Sequence, residues 1–202
     1  TNNASDSTES TKEFPKAITI FLFLSGFIVL GLEVIWIQMF SQVTINDTYS
    51  FSIILITLLL SLALGGFLAH ILNRLSKNPS KVLYALFILS GILVATSSLI
   101  FYNITSGLKL INTNNGFNNY LASLFLLSSG SILIPGIAIG TIFPFLLKFI
   151  TNTKNNIGHI ISKWIYINLI GGILGSILAG FILIKYFGIW LSISIFAALY
   201  FI

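Results

Sequence analysis

The chain alternates between long apolar runs and short polar segments, and six such runs follow one another. Most approach or exceed the ~20 residues that an α-helix needs to cross the hydrocarbon core of a bilayer. The segments between them carry polar and turn residues, such as Asn78-Pro79. This pattern predicts an all-α, polytopic transmembrane helix bundle of about six helices. The predicted spans lie near residues 17–40, 49–73, 81–104, 119–149, 160–185 and 188–202.

Both ends of the chain depart from this pattern. Residues 1–16 are polar and rich in Ser and Thr, which predicts a disordered polar tail ahead of a transmembrane domain over residues 17–202. The last apolar run is shorter than a full crossing. We therefore expect the polypeptide to continue beyond Ile202.

The charges are few and unevenly placed. Only 7% of the residues are charged, against about 25% in a soluble domain, so the lipid bilayer is the expected surrounding and nucleic acid is not an expected partner. Eight of the ten Lys and Arg residues lie before the first span or around the loops after spans two and four. Lys109 and Lys185 are the two on the other side. This asymmetry predicts a multi-pass protein of the plasma membrane with a cytoplasmic N-terminus.

Glu33 is the single charged residue in the apolar run from Ile18 to Phe40. Such a carboxyl is costly in hydrocarbon and is usually retained for a partner, a proton path or a substrate site. Three interpretations stay open: a protonated side chain bonded to a neighbouring helix, a structural interhelical pair, or a transport or catalytic role. Tyr166 and Asn168 of the fifth span are the expected polar neighbours, and the three together form the candidate intramembrane polar site.

Small residues recur at four-residue spacing in several spans, which lets helix backbones approach closely. Two prolines interrupt the long fourth run and predict a kink or break near Ile134 and near Phe143. The predicted packing or kink positions are Gly65, Gly66, Pro135, Gly136, Gly140, Pro144, Gly171 and Gly175. Spans two and five share a Gly-Gly followed by small residues, so a 3+3 inverted repeat is a further prediction.

Candidate catalytic chemistry is sparse. The chain has no cysteine, and neither His70 nor His159 has a further ligand-type side chain at metal-binding spacing. No pair of carboxylates and no nucleophile–base arrangement is present. The sequence therefore predicts no catalytic residues, no cofactor and no metal site.

Four stretches resemble, in order and spacing, the multi-spanning membrane proteins related to spermidine synthase. They are SGFIVLGLEVIW, LALGGFLAHILNR, PGIAIGTIFPFLLKF and WIYINLIGGILGSILAGFILIKYFG. That family looks distantly like half of a major facilitator transporter, and its membrane region typically precedes a polyamine aminopropyltransferase-like domain. The resemblance singles out Glu33 and Trp36 with the glycines, prolines, Tyr166 and Asn168 named above. One departure is Gln38, where members often carry an Arg after the tryptophan.

The resemblance and the residues together leave three functional hypotheses. The first is a non-catalytic scaffold or subunit of a larger membrane complex, with other membrane proteins or a second copy as partners. The alternative is a transporter-like module that binds a cationic solute such as a polyamine. The third is the membrane anchor of an aminopropyltransferase domain beyond residue 202.

Overall fold

In a computed structural model of this protein, residues 16–44, 48–76, 78–111, 116–151 and 157–201 are described. The predicted tail lies outside these ranges. All elements within them are helical: α1 Lys16–Phe40, α2 Thr48–Leu75, α3 Pro79–Ile104, α4 Phe117–Ser128, α5 Ile134–Thr151, α6 Ile157–Ile177 and α7 Ile184–Ala198. A π-helical segment, Ser129–Leu133, joins α4 to α5, and another, Leu178–Leu183, joins α6 to α7. A 3-10 turn, Leu199–Phe201, follows α7.

Five helical stretches in the described part of the chain are long and apolar enough to cross a membrane, not the six predicted. They are Ile18–Phe40, Thr48–Leu75, Pro79–Ile104, Phe117–Lys148 and Ile161–Phe201. The last stretch contains both of the final two predicted spans. Its backbone leaves the helical region at Gly188, with φ 72° and ψ 175°. The segment after Gly188 is too short to cross alone, which is why the count of six is corrected to five.

Gly188 reverses the chain, so that the helix after it folds back onto the bundle. Leu183, before the glycine, and Ile195, after it, line the same small cavity. The Phe196 ring stacks on Phe27 of α1 at a centroid distance of 5.6 Å. The last turn therefore returns into the interior of the bundle, where Tyr200 is 2% exposed.

The most extensive packing joins α1 to α6 and α2 to α5. Matching helices α1, α2 and α3 with α5, α6 and α7 maps these two pairs onto each other, because α2 then corresponds to α6 and α1 to α5. The contacts of α3 with α5 and of α7 with α1 are exchanged in the same way. The exchange concerns helix contacts alone, and the 3+3 inverted repeat stays a prediction.

Small residues form the contact between α2 and α5. Ser61, Gly65 and Ala69 lie on one buried face of α2, as their four-residue spacing predicts. A β-carbon at Gly65 would lie 2.6 Å from the Ile137 carbonyl oxygen, and one at Gly136 would collide with the Ser61 hydroxyl. Close backbone approach replaces the hydrophobic effect as the source of helix association in lipid.

The two prolines of the fourth span have different local consequences. Pro135 follows directly after the π-helical segment Ser129–Leu133 and the first residue of α5. Pro144 lies inside α5, and the helix continues through it. A proline cannot donate to the carbonyl four residues before it. The π segment changes the hydrogen-bond register of the helix before Pro135. At Pro144 no such change occurs, and the Gly140 carbonyl, four residues earlier, receives no hydrogen bond from the proline.

Candidate functional site: a central groove between the two helix pairs

A cavity of about 370 Å³ opens between the α1–α6 pair and the α2–α5 pair. We call it the central groove. Apolar side chains make up most of its wall, and Ser25 and Asn168 contribute the polar side chains. Its lining residues are Ser25, Gly26, Val29, Leu30, Leu62, Ile139, Gly140, Phe143, Pro144, Asn168 and Leu169.

Asn168 is fixed at the wall of the groove by α1. Its Nδ2 donates to the Leu22 carbonyl at 3.0 Å and to the Ser25 Oγ at 2.8 Å. The Ser25 hydroxyl donates in turn to the same Leu22 carbonyl at 3.0 Å. The amide and hydroxyl hydrogens are thus used within the protein. The Asn168 Oδ1 has no hydrogen bond to the described residues and remains an acceptor.

The opposite wall adds a second acceptor. Pro144 has no N–H to offer the Gly140 carbonyl, and both residues line the groove. Gly140 also lets α5 approach α2, since a β-carbon there would lie 2.9 Å from the Leu62 Cα. The acceptors to which these residues offer no hydrogen-bond donor are therefore oxygen atoms. A site of this kind favours a cation or a hydrogen-bond donor over an anion.

Glu33 lies on the groove-facing side of α1 but beyond the cavity itself. Gly26, Val29 and Leu30 line the groove and precede Glu33 by seven, four and three residues, respectively. These helical spacings place all four residues on one face of α1. Eight residues separate Glu33 from Ser25, or roughly 12 Å along the helix. The Glu33 side chain is half-buried, and its carboxyl makes no hydrogen bond or ion pair with the described residues.

The structure does not assemble the predicted polar site. Asn168 pairs with Ser25 and not with Glu33, because the carboxyl is two helical turns too far away. Tyr166 is 64% exposed and lies about 200° around α6 from Asn168, so it faces away from the groove. Gly66 also lies off the packed face, since a β-carbon there would meet no other atom within 4 Å.

The other predicted glycines lie at close contacts. A β-carbon at Gly171 or Gly175 would collide with the carbonyl of Phe23 or Phe27 of α1. On the α1 side, the small residues Ser25 and Gly26 also lie at this contact and were not among the predicted positions. A β-carbon at Gly26 would collide with the Asn168 carbonyl. The adjacent small residues in an otherwise bulky span were the signal that could have identified them.

Fold and site together define a multi-pass helical membrane protein with a mostly apolar groove and an intramembrane carboxyl that has no partner among the described residues. No family model, curated protein or solved structure matches the chain.

Proposed function

We propose that this chain is a non-catalytic helical module of a larger membrane assembly. The observation that carries the proposal is Glu33, which is half-buried in a spanning helix and has no partner among the described residues. A carboxyl without a partner inside a spanning segment is costly. A donor-bearing helix, from another subunit or a second copy, would cover this face of α1 and satisfy the carboxyl.

A second candidate function is a transporter-like module that binds a cationic solute such as a polyamine. It is favoured by the central groove, which Asn168 and Gly140 both line. The Asn168 Oδ1 has no hydrogen-bond donor among the described residues, and Pro144 has no N–H to donate to the Gly140 carbonyl oxygen. A primary ammonium group donates hydrogen bonds and carries the charge that such oxygens stabilise. The two candidates depend on different residues, so variants can separate them.

The test compares Glu33→Leu with Asn168→Leu in the full chain extracted in mild detergent. Mass photometry measures the size of the particle, and retention of labelled spermidine measures solute binding. The assembly proposal expects a particle larger than the 22.2 kDa monomer that shrinks with Glu33→Leu. Gln38→Leu, an exposed position on the same helix, is the matched control and should leave the size unchanged.

Glu33→Gln keeps a hydrogen-bonding side chain and should preserve most of the assembly. Two results would refute the assembly proposal. One is a monomeric wild-type particle, and the other is a particle whose size is unchanged by Glu33→Leu. Spermidine retention that is lost with Asn168→Leu and kept with Gln38→Leu would instead support the second candidate. No retention by the wild-type protein would exclude it.

A further inference from the structure

A second cavity, of about 240 Å³, opens at the end of the bundle that carries Lys109. We call it the interfacial pocket. Ser106, Lys109 and Ser123 lie on its polar side, and Ile104 and Leu127 contribute apolar surface. The three polar residues are exposed, whereas Leu127 is 5% exposed. The pocket thus combines a cation, hydroxyl groups and an apolar wall whose inner part is the buried Leu127.

The loop that carries Lys109 is held by a defined set of hydrogen bonds. At the end of α3 the Ser106 N–H donates to the Asn103 carbonyl at 3.1 Å, and the Gly107 N–H to the Tyr102 carbonyl at 3.0 Å. These two bonds form a Schellman motif, which places Ser106 in the left-handed region with φ 50°. Leu108, also left-handed at φ 64°, donates its N–H to the Thr105 Oγ1 at 3.2 Å.

The far end of the loop is fixed as well. The Ile111 N–H donates to the Val43 carbonyl, in the turn after α1, at 3.0 Å. Lys109 therefore projects from a backbone that is anchored on both sides. A preorganised loop loses less conformational freedom when a ligand binds.

Aromatic side chains place the interfacial pocket near the membrane surface. Tyr102 and Tyr49 are 51% and 58% exposed, and the Tyr49 ring packs edge-on against Phe117 at 5.1 Å. Tyr and Trp side chains concentrate where hydrocarbon meets lipid headgroups. The pocket lies at the same end of α3 as Tyr102, the end where we expect lipid headgroups.

The charges at this end favour an anion. Lys109 lines the pocket, whereas Lys185 lies 5.5 Å over the Tyr186 ring and does not line it. The Ser106 hydroxyl makes no hydrogen bond with the described residues and can donate to a ligand. The Ser123 hydroxyl already donates to the Asn119 carbonyl at 2.8 Å, so it is not needed as a ligand.

We infer that the interfacial pocket binds the phosphate group of an anionic phospholipid. Lys109 supplies the charge, the Ser106 hydroxyl donates to a phosphate oxygen, and Ile104 and Leu127 contact the first carbons of an acyl chain. A lysine and a hydroxyl beside an apolar wall offer a lipid phosphate both a charge and a hydrogen-bond donor. The apolar wall is the reason to assign a lipid and not free phosphate.

The test is competition between lipids for the purified full chain, measured by native mass spectrometry after incubation with equimolar phosphatidylglycerol and phosphatidylcholine. The wild-type protein should retain phosphatidylglycerol preferentially. Lys109→Gln should lower that retention about fivefold, the equivalent of about 1 kcal/mol for one basic residue near the surface. Lys185→Gln is the matched control and should change retention little. Lys109→Arg should restore it.

Three results would overturn the inference. One is equal retention of the two lipids by the wild-type protein, and another is equal loss with Lys109→Gln and Lys185→Gln. The third concerns the source of the phosphate. If inorganic phosphate binds the delipidated protein through Lys109 as tightly as phosphatidylglycerol does, the apolar wall contributes nothing and the lipid assignment fails.

Discussion

Gly171 and Gly175 illustrate how single atoms determine helix packing in this protein. Each lies where α6 crosses α1, and each would bring a β-carbon into collision with a backbone carbonyl of α1. A backbone cannot move aside as a flexible side chain can. At Gly66, in contrast, a β-carbon would lie in open space. Gly171 and Gly175 therefore do not tolerate a β-carbon, whereas Gly66, in a similarly apolar helix, does.

We expect Gly175→Ala to lower the free energy of unfolding by about 1–3 kcal/mol, the usual cost of overpacking. The measurement is denaturant unfolding of the purified protein in detergent. Gly66→Ala is the matched control and should be neutral or slightly stabilising, because alanine favours a helix by up to about 1 kcal/mol over glycine. Equal destabilisation by both substitutions would show that the close α1–α6 approach is not required.

Asn168 shows which residue-scale features the sequence could predict. Its place in a spanning helix and its need for polar neighbours follow from the sequence, because a buried amide must be hydrogen-bonded. The identity of the partner does not. Ser25 is 143 positions away, and only the rotation of α6 against α1 brings the two side chains together.

Gly188 determines the shape of the last element. Its φ of 72° and ψ of 175° fall in a region of backbone space that is essentially restricted to glycine. The apolar pattern identified two blocks here, but it could not show that they form one helical hairpin. That depends on the backbone angles of one residue and on the contacts that α7 makes after the turn.

Gly188→Ala should lower the free energy of unfolding by about 1–3 kcal/mol, because alanine is strained at these backbone angles. The expected result is a lower midpoint of thermal unfolding, with easier proteolysis after Lys185 as α7 detaches from α1. Gly158→Ala serves as the control, since that glycine lies in helical backbone with open space around it. An unchanged midpoint for Gly188→Ala would show that the turn at this position is not needed.

The whole molecule has two ends of different charge. Arg74, Lys81, Lys148 and Lys163 lie at helix ends on one side of the bundle, and Lys109 and Lys185 on the other. The positive-inside rule predicts that the more basic end faces the cytoplasm. Because the chain contains no cysteine, single introduced thiols can report this orientation without background.

Ser80→Cys, at the basic end, and Ser106→Cys, at the other end, are both exposed positions. In intact cells a membrane-impermeant maleimide should label Ser106→Cys and should label Ser80→Cys only after permeabilisation. The unsubstituted chain is the control and should stay unlabelled. The reverse pattern would contradict the predicted cytoplasmic N-terminus.

The sequence by itself determined that this is an all-helical membrane protein, because the length of an apolar run and the scarcity of charge are local properties. It also determined the faces of small residues, since four-residue spacing aligns them on any helix. The tertiary structure decided how the helices are rotated and paired. That rotation turned Tyr166 away from Asn168, joined Asn168 to Ser25 and left Glu33, beside the central groove, with no partner in the described part of the chain. Close contact at a few glycines sets how each helix meets its neighbour.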